Sequence, residues 1–135
     1  MTARIVPYIR YEDCKMAVRW LYKVFEFERN LIVPGDTGEI IHAQLVSGQA
    51  MIMLGDGQAD SSVRSLSRSP TQLEGFNTSS IYMFVEDVDI HYEKTKAAGA
   101  DIVLDIKEED YGGRGYTCKD LEGHLWSFGS YYPWK

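Results

Sequence analysis

A short pattern that occurs twice in the sequence limits the folds open to this chain more than any other feature. Residues 8–13 read Tyr-Ile-Arg-Tyr-Glu-Asp and residues 82–87 read Tyr-Met-Phe-Val-Glu-Asp, so Tyr, Glu and Asp recur at equal spacing. In both copies a short apolar run leads into two acidic residues, which is typical of a strand followed by the start of a helix. The repeat predicts two similar modules.

The first copy opens a run of five predicted elements. Residues 5–11 are rich in β-branched and aromatic side chains, which favours a strand, and Asp13 is suited to cap a helix over 14–25. Apolar residues recur along that helix at the spacing of a single face, which should pack on a sheet. They are Ala17, Trp20, Leu21, Val24 and Phe25. Three further strands are predicted, over 27–33, 39–46 and 50–54.

The same order follows the second copy. Residues 79–85 are predicted to form a strand, and either Asp87 or Asp89 begins a helix that Gly99 ends. A strand over 100–106 and a glycine-rich hairpin over 111–128 complete the set. Each module therefore has the order βαβββ. In the second module, the hairpin supplies the last two strands.

The segment between the copies has a different composition. Residues 57–77 are rich in Ser, Gly and Gln and show little periodicity, which is typical of a linker or mobile loop. We predict one domain over 1–135, with a first module over about 1–56 and a second over about 78–135. A single βαβββ unit leaves one face of its sheet uncovered, so two units are expected to pair in an α+β fold.

The composition excludes several classes of function. The formal net charge is -6, which disfavours a nucleic-acid surface and mildly favours a cationic partner. No apolar run is long enough to serve as a signal peptide or to span a membrane. Cys14 and Cys118 lack metal-type spacing and are expected to be reduced structural thiols. We expect a cytoplasmic protein with no membrane partner.

The motifs, taken in order, resemble the vicinal oxygen chelate superfamily, which includes glyoxalase I, bleomycin-resistance proteins and extradiol dioxygenases. The stretches that carry the resemblance are Pro7-Tyr8 leading to Asp13, 41–45, 52–56, 85–89, 97–100, 111–114 and 120–128. They are most similar to the glyoxalase/bleomycin-resistance-like branch. The resemblance implies two βαβββ modules that form a curved mixed sheet around a cavity. It also implies a homodimer with its cavities at or near the subunit interface.

In metal-dependent members of this superfamily, four inward positions hold His or Glu, one on the first and one on the last strand of each module. By position, the resemblance places these near Val6, near Met53, near Ser80 and on Ser127. Such metals prefer imidazole and carboxylate ligands, which these residues do not supply. We therefore expect no family-type metal site and no metal cofactor.

Strand alternation predicts the lining of the cavity. If Ser127 faces inward, Trp126 and Phe128 face the helices. The predicted ligand-binding candidates are Tyr8, His42, Met53, Tyr82, Phe84, Arg114 and Ser127. For Arg114 two interpretations stay open: an anion-binding group at the cavity mouth, or a salt bridge to one of the acids at 108–110.

The three histidines allow different interpretations. His42, on a predicted strand, either orients a ligand or bonds to the backbone. His91 is expected to be a solvated helix residue, and His124 to support the last turn or the outer sheet face. The spacing of the three fits no short metal motif.

The resemblance and the missing ligands together suggest metal-independent binding of a small, partly aromatic molecule, with antibiotic sequestration as one form of it. The alternative is a metal-dependent lyase, isomerase or dioxygenase of the same superfamily. A third possibility is an interaction module with a cavity filled by its own side chains. The sequence does not identify the ligand, and it does not decide whether any catalysis occurs.

Overall fold

The first module folds in the predicted order. The computed structural model describes residues 2–58 and 65–135, so residues 59–64 of the predicted linker lie outside it. The elements of this module are β1 (Tyr8–Tyr11), α1 (Cys14–Val24), β2 (Glu28–Pro34), β3 (Ile40–Ser47) and β4 (Ala50–Asp56). They form a four-stranded sheet in the order β1-β4-β3-β2, in which β1 runs parallel to β4 and the other pairs are antiparallel.

The second module repeats this topology. Its elements are β5 (Ile81–Phe84), α2 (Val88–Ala97), β6 (Asp101–Glu108), β7 (Arg114–Lys119) and β8 (Leu125–Gly129). The sheet order is β5-β8-β7-β6, again with one parallel pair. The predicted α+β fold of two βαβββ modules is confirmed. Within the described part of the linker, residues Pro70–Leu73 form a turn of 3-10 helix.

Local chemistry explains where the elements begin and end. Asp13 caps α1 by accepting a hydrogen bond from Met16 N. Asp87 caps α2 in the same way, so α2 begins after Asp87 and not at Asp89, the other predicted start. Gly99 follows α2 with a φ of 108°, a left-handed conformation that favours glycine. Strand β1 begins three residues later than predicted, after Pro7, which has no N–H to give to a sheet.

The two modules share one hydrophobic core on their helix-covered sides. The α1 stripe is buried as predicted except for Trp20, which is half-buried. Phe25 at its end packs against Trp126 and Phe128 of β8, with ring centroids 5.0 and 4.9 Å apart. Phe27 adds a third contact to Trp126. Because these rings come from different modules, the core joins the two sheets through the faces that carry the helices.

The turn between β7 and β8 fastens the second module to the start of α1. The Glu122 carboxylate accepts hydrogen bonds from Glu12 N at 2.7 Å and Asp13 N at 3.0 Å. Nearby, Asp120 Oδ2 accepts from Tyr11 Oη at 2.6 Å and from Trp126 Nε1 at 3.0 Å. The carboxylates of the predicted turn therefore accept hydrogen bonds from the first module as well as from groups within the turn. Among the described residues, no helix has the length and apolar character needed to cross a membrane.

Candidate functional site

The side of each sheet that carries no helix holds most of the predicted ligand-binding residues. In the first sheet Tyr8 lies beside Met53, and Met53 beside Gln44 of β3. In the second, Tyr82 lies beside Ser127, and Ser127 beside Thr117. Because directly paired residues share a face of a sheet, each group forms one surface. We call these the first and second concave faces.

Both concave faces have accessible aromatic rings in the single chain. Tyr8, Tyr82 and Phe84 expose 48%, 40% and 37% of their surface. Trp126 and Phe128, which alternate with Ser127 along β8, are fully buried in the shared core. The predicted alternation is therefore correct, and it leaves aromatic rings accessible on the side away from the helices.

A tyrosine crosses a glycine at the same place in both faces. Tyr8 lies over Gly55 and Tyr82 over Gly129, each two residues beyond the partner of the tyrosine on the neighbouring strand. A Cβ on Gly129 would lie 2.7 Å from Tyr82 Oη, and a Cβ on Gly55 would collide with Tyr8 Oη. Because glycine has no side chain, each tyrosine ring can lie flat across its sheet. The internal repeat of the sequence therefore extends to the side chains of the concave faces.

The first concave face carries a histidine held by side chains. The His42 ring stacks on Tyr8 with centroids 6.2 Å apart. Its Nε2 lies 3.3 Å from Gln44 Nε2, which is a donor, so Nε2 of His42 accepts. Gln44 therefore fixes the orientation of the His42 ring, and the ligand-orienting role of His42 stays a prediction.

The second concave face is partly covered by the C-terminal residues, which the sequence analysis did not single out. Tyr82 Oη donates to Tyr131 O at 2.6 Å, and Phe84 meets Tyr132 edge to face at 4.9 Å. Trp134 lies beyond them with 82% of its surface exposed. The aromatic run at 131–134 was the available signal, since three aromatic residues in four would be unusual in a solvated tail.

The metal-ligand positions of the superfamily do not fit a metal here. Met53 and Ser127 stand at equivalent positions of β4 and β8, and the Ser127 hydroxyl is hydrogen-bonded to Thr117 Oγ1 at 2.7 Å. Val6 precedes β1 and Ser80 precedes β5. Over residues 2–58 and 65–135, no group of three or more His, Cys, Asp or Glu is arranged to hold a metal ion. A thioether and a hydroxyl already bonded to its neighbour make a poor site for the usual divalent ions.

Arg114 lies on the opposite side of its sheet. It shares the helix-covered face with Tyr116 of β7, and its guanidinium pairs with Asp89 of α2 through Nε at 3.2 Å and Nη2 at 3.0 Å. The expected position at the cavity mouth is therefore not observed. The partner is also not among the acids at 108–110 that the sequence suggested.

Of the other two histidines, His91 differs from expectation and His124 supports the last turn as predicted. His91 is half-buried rather than solvated, with Nδ1 2.6 Å from Tyr116 Oη and its ring 4.3 Å from that of Phe128. Burial lowers the pKa of His91 to about 4. His124 Nε2 donates to Arg10 O at 2.8 Å and its ring meets Tyr11 edge-on, so it ties the turn to β1.

A cavity of about 550 Å³ lies where β1, the linker and the start of the second module meet. Of the seven predicted site residues, Tyr8 alone lines it. Its walls come from 7–10, 66–68, 70, 73, 76–81, 124 and 125. The linker contributes much of this lining, and because a contact between a linker and a distant strand leaves no periodic trace, the cavity was not predicted.

The chain belongs to the Glyoxalase/Bleomycin resistance protein/Dioxygenase superfamily, whose pattern it matches over residues 3–128. An uncharacterised protein of Mycobacterium bovis is 31% identical over 123 residues, which cover 91% of this chain and 80% of that protein. The crystal structure of TioX from a Micromonospora species superposes with a TM-score of 0.74 at 35% identity, with 94% of each chain covered. FosX, a fosfomycin resistance protein of Listeria monocytogenes, shares the fold, with a TM-score of 0.66 at 16% identity over 96% of this chain and 93% of FosX.

Proposed function

We propose that this protein binds a small, partly aromatic molecule on its concave faces without a metal ion, and holds the molecule without altering it. The observation that carries the proposal is the pair Met53 and Ser127. They stand at equivalent places where metal-dependent relatives are expected to have ligands, and accessible aromatic rings stand beside both. A surface with rings and few charges binds by burying apolar area and by stacking.

The two concave faces would become one site in a homodimer. In the single chain the helix-covered sides join the modules, and Tyr8, Tyr82 and Phe84 remain accessible. Pairing the first module of one chain with the second module of another would bring both aromatic faces around one ligand. This arrangement would also cover apolar surface that a stable monomer rarely leaves open.

The ligand class follows from the rings and the overall charge. An aromatic surface on a chain with a net charge of -6 favours a planar cationic molecule through cation–π contact. Sequestration of an antibiotic is the form of binding that the bleomycin resistance proteins in the superfamily description suggest. We also propose a cytoplasmic location, supported by the free thiols of Cys14 and Cys118, which are both buried.

The test is a titration of purified chain with bleomycin and with ethidium, followed by tyrosine fluorescence and calorimetry, with metal content measured on protein never exposed to chelator. Tyr82→Ala should weaken binding about 3- to 10-fold, the usual worth of one aromatic contact. Ile90→Ala, which removes an exposed side chain from α2, is the matched control and should change binding less than twofold.

Two outcomes would contradict the proposal. One is the absence of binding up to millimolar ligand. The other is one equivalent of Zn, Ni, Mn or Fe per chain that is lost in His42→Ala, which would favour the metal-dependent enzyme instead. Light scattering of the free chain tests the dimer, since a monomeric mass would leave the two faces apart.

A further inference from the structure

We propose that residues 130–135 are part of the ligand-binding surface, and that the Trp134 indole makes the second concave face select ligands with several fused or linked aromatic rings over ligands with one. This inference rests on the function proposed above, because it concerns the same face and the same class of planar cation. It adds a binding residue that lies outside both sheets, and it narrows the ligand to an extended ring system.

The first argument is a row of accessible rings that continues from the sheet into this segment. Phe84 meets Tyr132 with ring centroids 4.9 Å apart, and the centroid of Trp134 lies 6.5 Å from that of Tyr132. The three side chains expose 37%, 42% and 82% of their surface. Both distances are within the range of aromatic contact. A planar ligand that covers Phe84 therefore reaches the other two rings if it is long enough.

The second argument is that the start of the segment is fastened to the second sheet. Ser130 N donates to Arg114 O at 2.9 Å, and Arg114 N donates to Ser130 Oγ at 3.0 Å. The carbonyl of Tyr131 accepts the hydrogen bond from Tyr82, and its ring meets that of Tyr111 edge to face at 4.9 Å. The row of rings is therefore positioned by hydrogen bonds and packing before any ligand arrives.

The exposed indole is held in a closed turn. Lys135 N donates to Tyr132 O at 3.3 Å, which places Pro133 at the second position of a four-residue turn. Proline favours that position because its ring fixes φ. A ligand that covers Trp134 therefore buries apolar surface with a smaller entropy cost than it would on an unstructured segment.

The loop before β7 is shaped to admit this segment. Gly113 has a φ of 69°, and a Cβ there would lie 2.6 Å from Tyr131 N and 2.9 Å from Ser130 Oγ. Both the left-handed backbone and the close approach favour glycine at this position. The position of residues 130 and 131 is thus matched by the neighbouring loop as well as by their own contacts.

The first module does not repeat the row of rings. Gly55 and Gly129 stand at equivalent places, so Gly57 and Gln58 correspond to Tyr131 and Tyr132. Neither of the two residues in the first module is aromatic. The repeat therefore ends where the row of rings begins, and these positions give the second face a longer aromatic surface.

The experiment compares two cations of equal charge: ethidium, which has three fused rings, and phenyltrimethylammonium, which has one. Calorimetry measures ethidium binding, and displacement of ethidium measures the smaller cation. Trp134→Ala should weaken ethidium about 3- to 10-fold, the worth of one aromatic contact. It should change phenyltrimethylammonium less than about twofold, because a single ring beside Tyr82 does not extend to the indole. Trp134→Phe should restore part of the ethidium affinity, and Ile90→Ala serves as the unchanged control.

A second pair of variants tests the position of the segment without removing a ring. Gly113→Ala should displace Tyr131 and weaken ethidium by a similar factor, because its Cβ meets the backbone of the segment. Gly48→Ala is the matched control. It has a φ of 58° with no atom within 4 Å of a Cβ, so it carries similar backbone strain without that contact and should change ethidium less than about twofold.

Three results would overturn the inference. If Tyr82→Ala weakens ethidium but Trp134→Ala leaves it unchanged or tightens it, the indole is no part of the site, and the proposed function stands. If Trp134→Ala converts a dimer to a monomer in light scattering, the indole belongs to an interface between two copies. If the wild type does not bind ethidium at all, the inference and the function it rests on are both wrong.

Discussion

Helices α1 and α2 stand at equivalent places in the two modules, yet they face the core with different chemistry. Four residues after each N-cap α1 has Ala17 and α2 has His91, and eight residues after it they have Leu21 and Thr95. Leu21 is fully buried among apolar side chains. His91 and Thr95 instead share the Tyr116 hydroxyl, at 2.6 and 2.7 Å. The difference shows that one topology accepts either apolar side chains or hydrogen-bonded ones between helix and sheet.

The largest expected effect comes from placing the α2 residue in α1. Leu21→Thr removes buried apolar volume and adds a hydroxyl with no tyrosine to meet it, so the free energy of unfolding should fall by about 2–4 kcal/mol. Urea denaturation followed by circular dichroism measures the loss. Lys23→Thr, exposed on the same helix, should change stability by less than about 0.7 kcal/mol. A loss below about 1 kcal/mol for Leu21→Thr would mean that the core around α1 accommodates a threonine hydroxyl as readily as the core around α2.

The next largest effect is a pH dependence of the free energy of unfolding that arises from His91 of α2, since α1 has no histidine at the equivalent place. The pKa of His91 falls from 6.5 to about 4 through burial, with Glu26 opposing the shift and Lys94 adding to it. The folded state therefore binds fewer protons than the unfolded state in this range. Protonation of His91 therefore favours the unfolded state. The protein is at full stability with respect to this group above about pH 6.5 and loses stability as the pH falls towards 4. The loss should be on the order of 2 kcal/mol.

The measurement is the free energy of unfolding between pH 7 and pH 4 for the wild type and for His91→Gln. The variant should start lower at pH 7, because it loses the bond to Tyr116, and should then decline less steeply. Parallel curves would show that His91 does not titrate with unfolding.

The smallest effect tests the hydroxyl pair. Thr95→Val keeps the shape of the side chain but leaves the Tyr116 hydroxyl with His91 alone, so stability should fall by about 1 kcal/mol. Thermal unfolding by calorimetry is sensitive enough to measure this. The change should be nearly absent in a Tyr116→Phe background, and an undiminished loss there would rule out the shared bond as its cause.

Local patterns in the sequence predicted most of the fold. The strand period of two assigned Trp126 and Phe128 to the core and Ser127 to the concave side, and burial confirms this. The capping residues Asp13 and Asp87 marked the helix starts. These predictions succeed because alternation, caps and turns depend on neighbours within a few residues of each other.

The candidate site was predictable only where it depends on those local rules. The predicted side of the sheet was correct for Tyr8, Tyr82 and Phe84. Arg114, in contrast, lies on the helix-covered side and pairs with Asp89. His91 was expected in solvent but is half-buried beneath Tyr116. In both errors the deciding partner lies 25 residues away in sequence, so no short window contains it.

The sequence by itself determined the repeated βαβββ order and the helix-facing and concave sides of the strands. Only the tertiary structure decided that the C-terminal aromatic residues lie on the second concave face and that Arg10 is buried in the wall of a cavity. The physical reason is the range of the interactions. Backbone geometry repeats every two or 3.6 residues and is written into the chain, whereas a cavity forms wherever distant segments pack imperfectly, and packing is a property of the whole molecule.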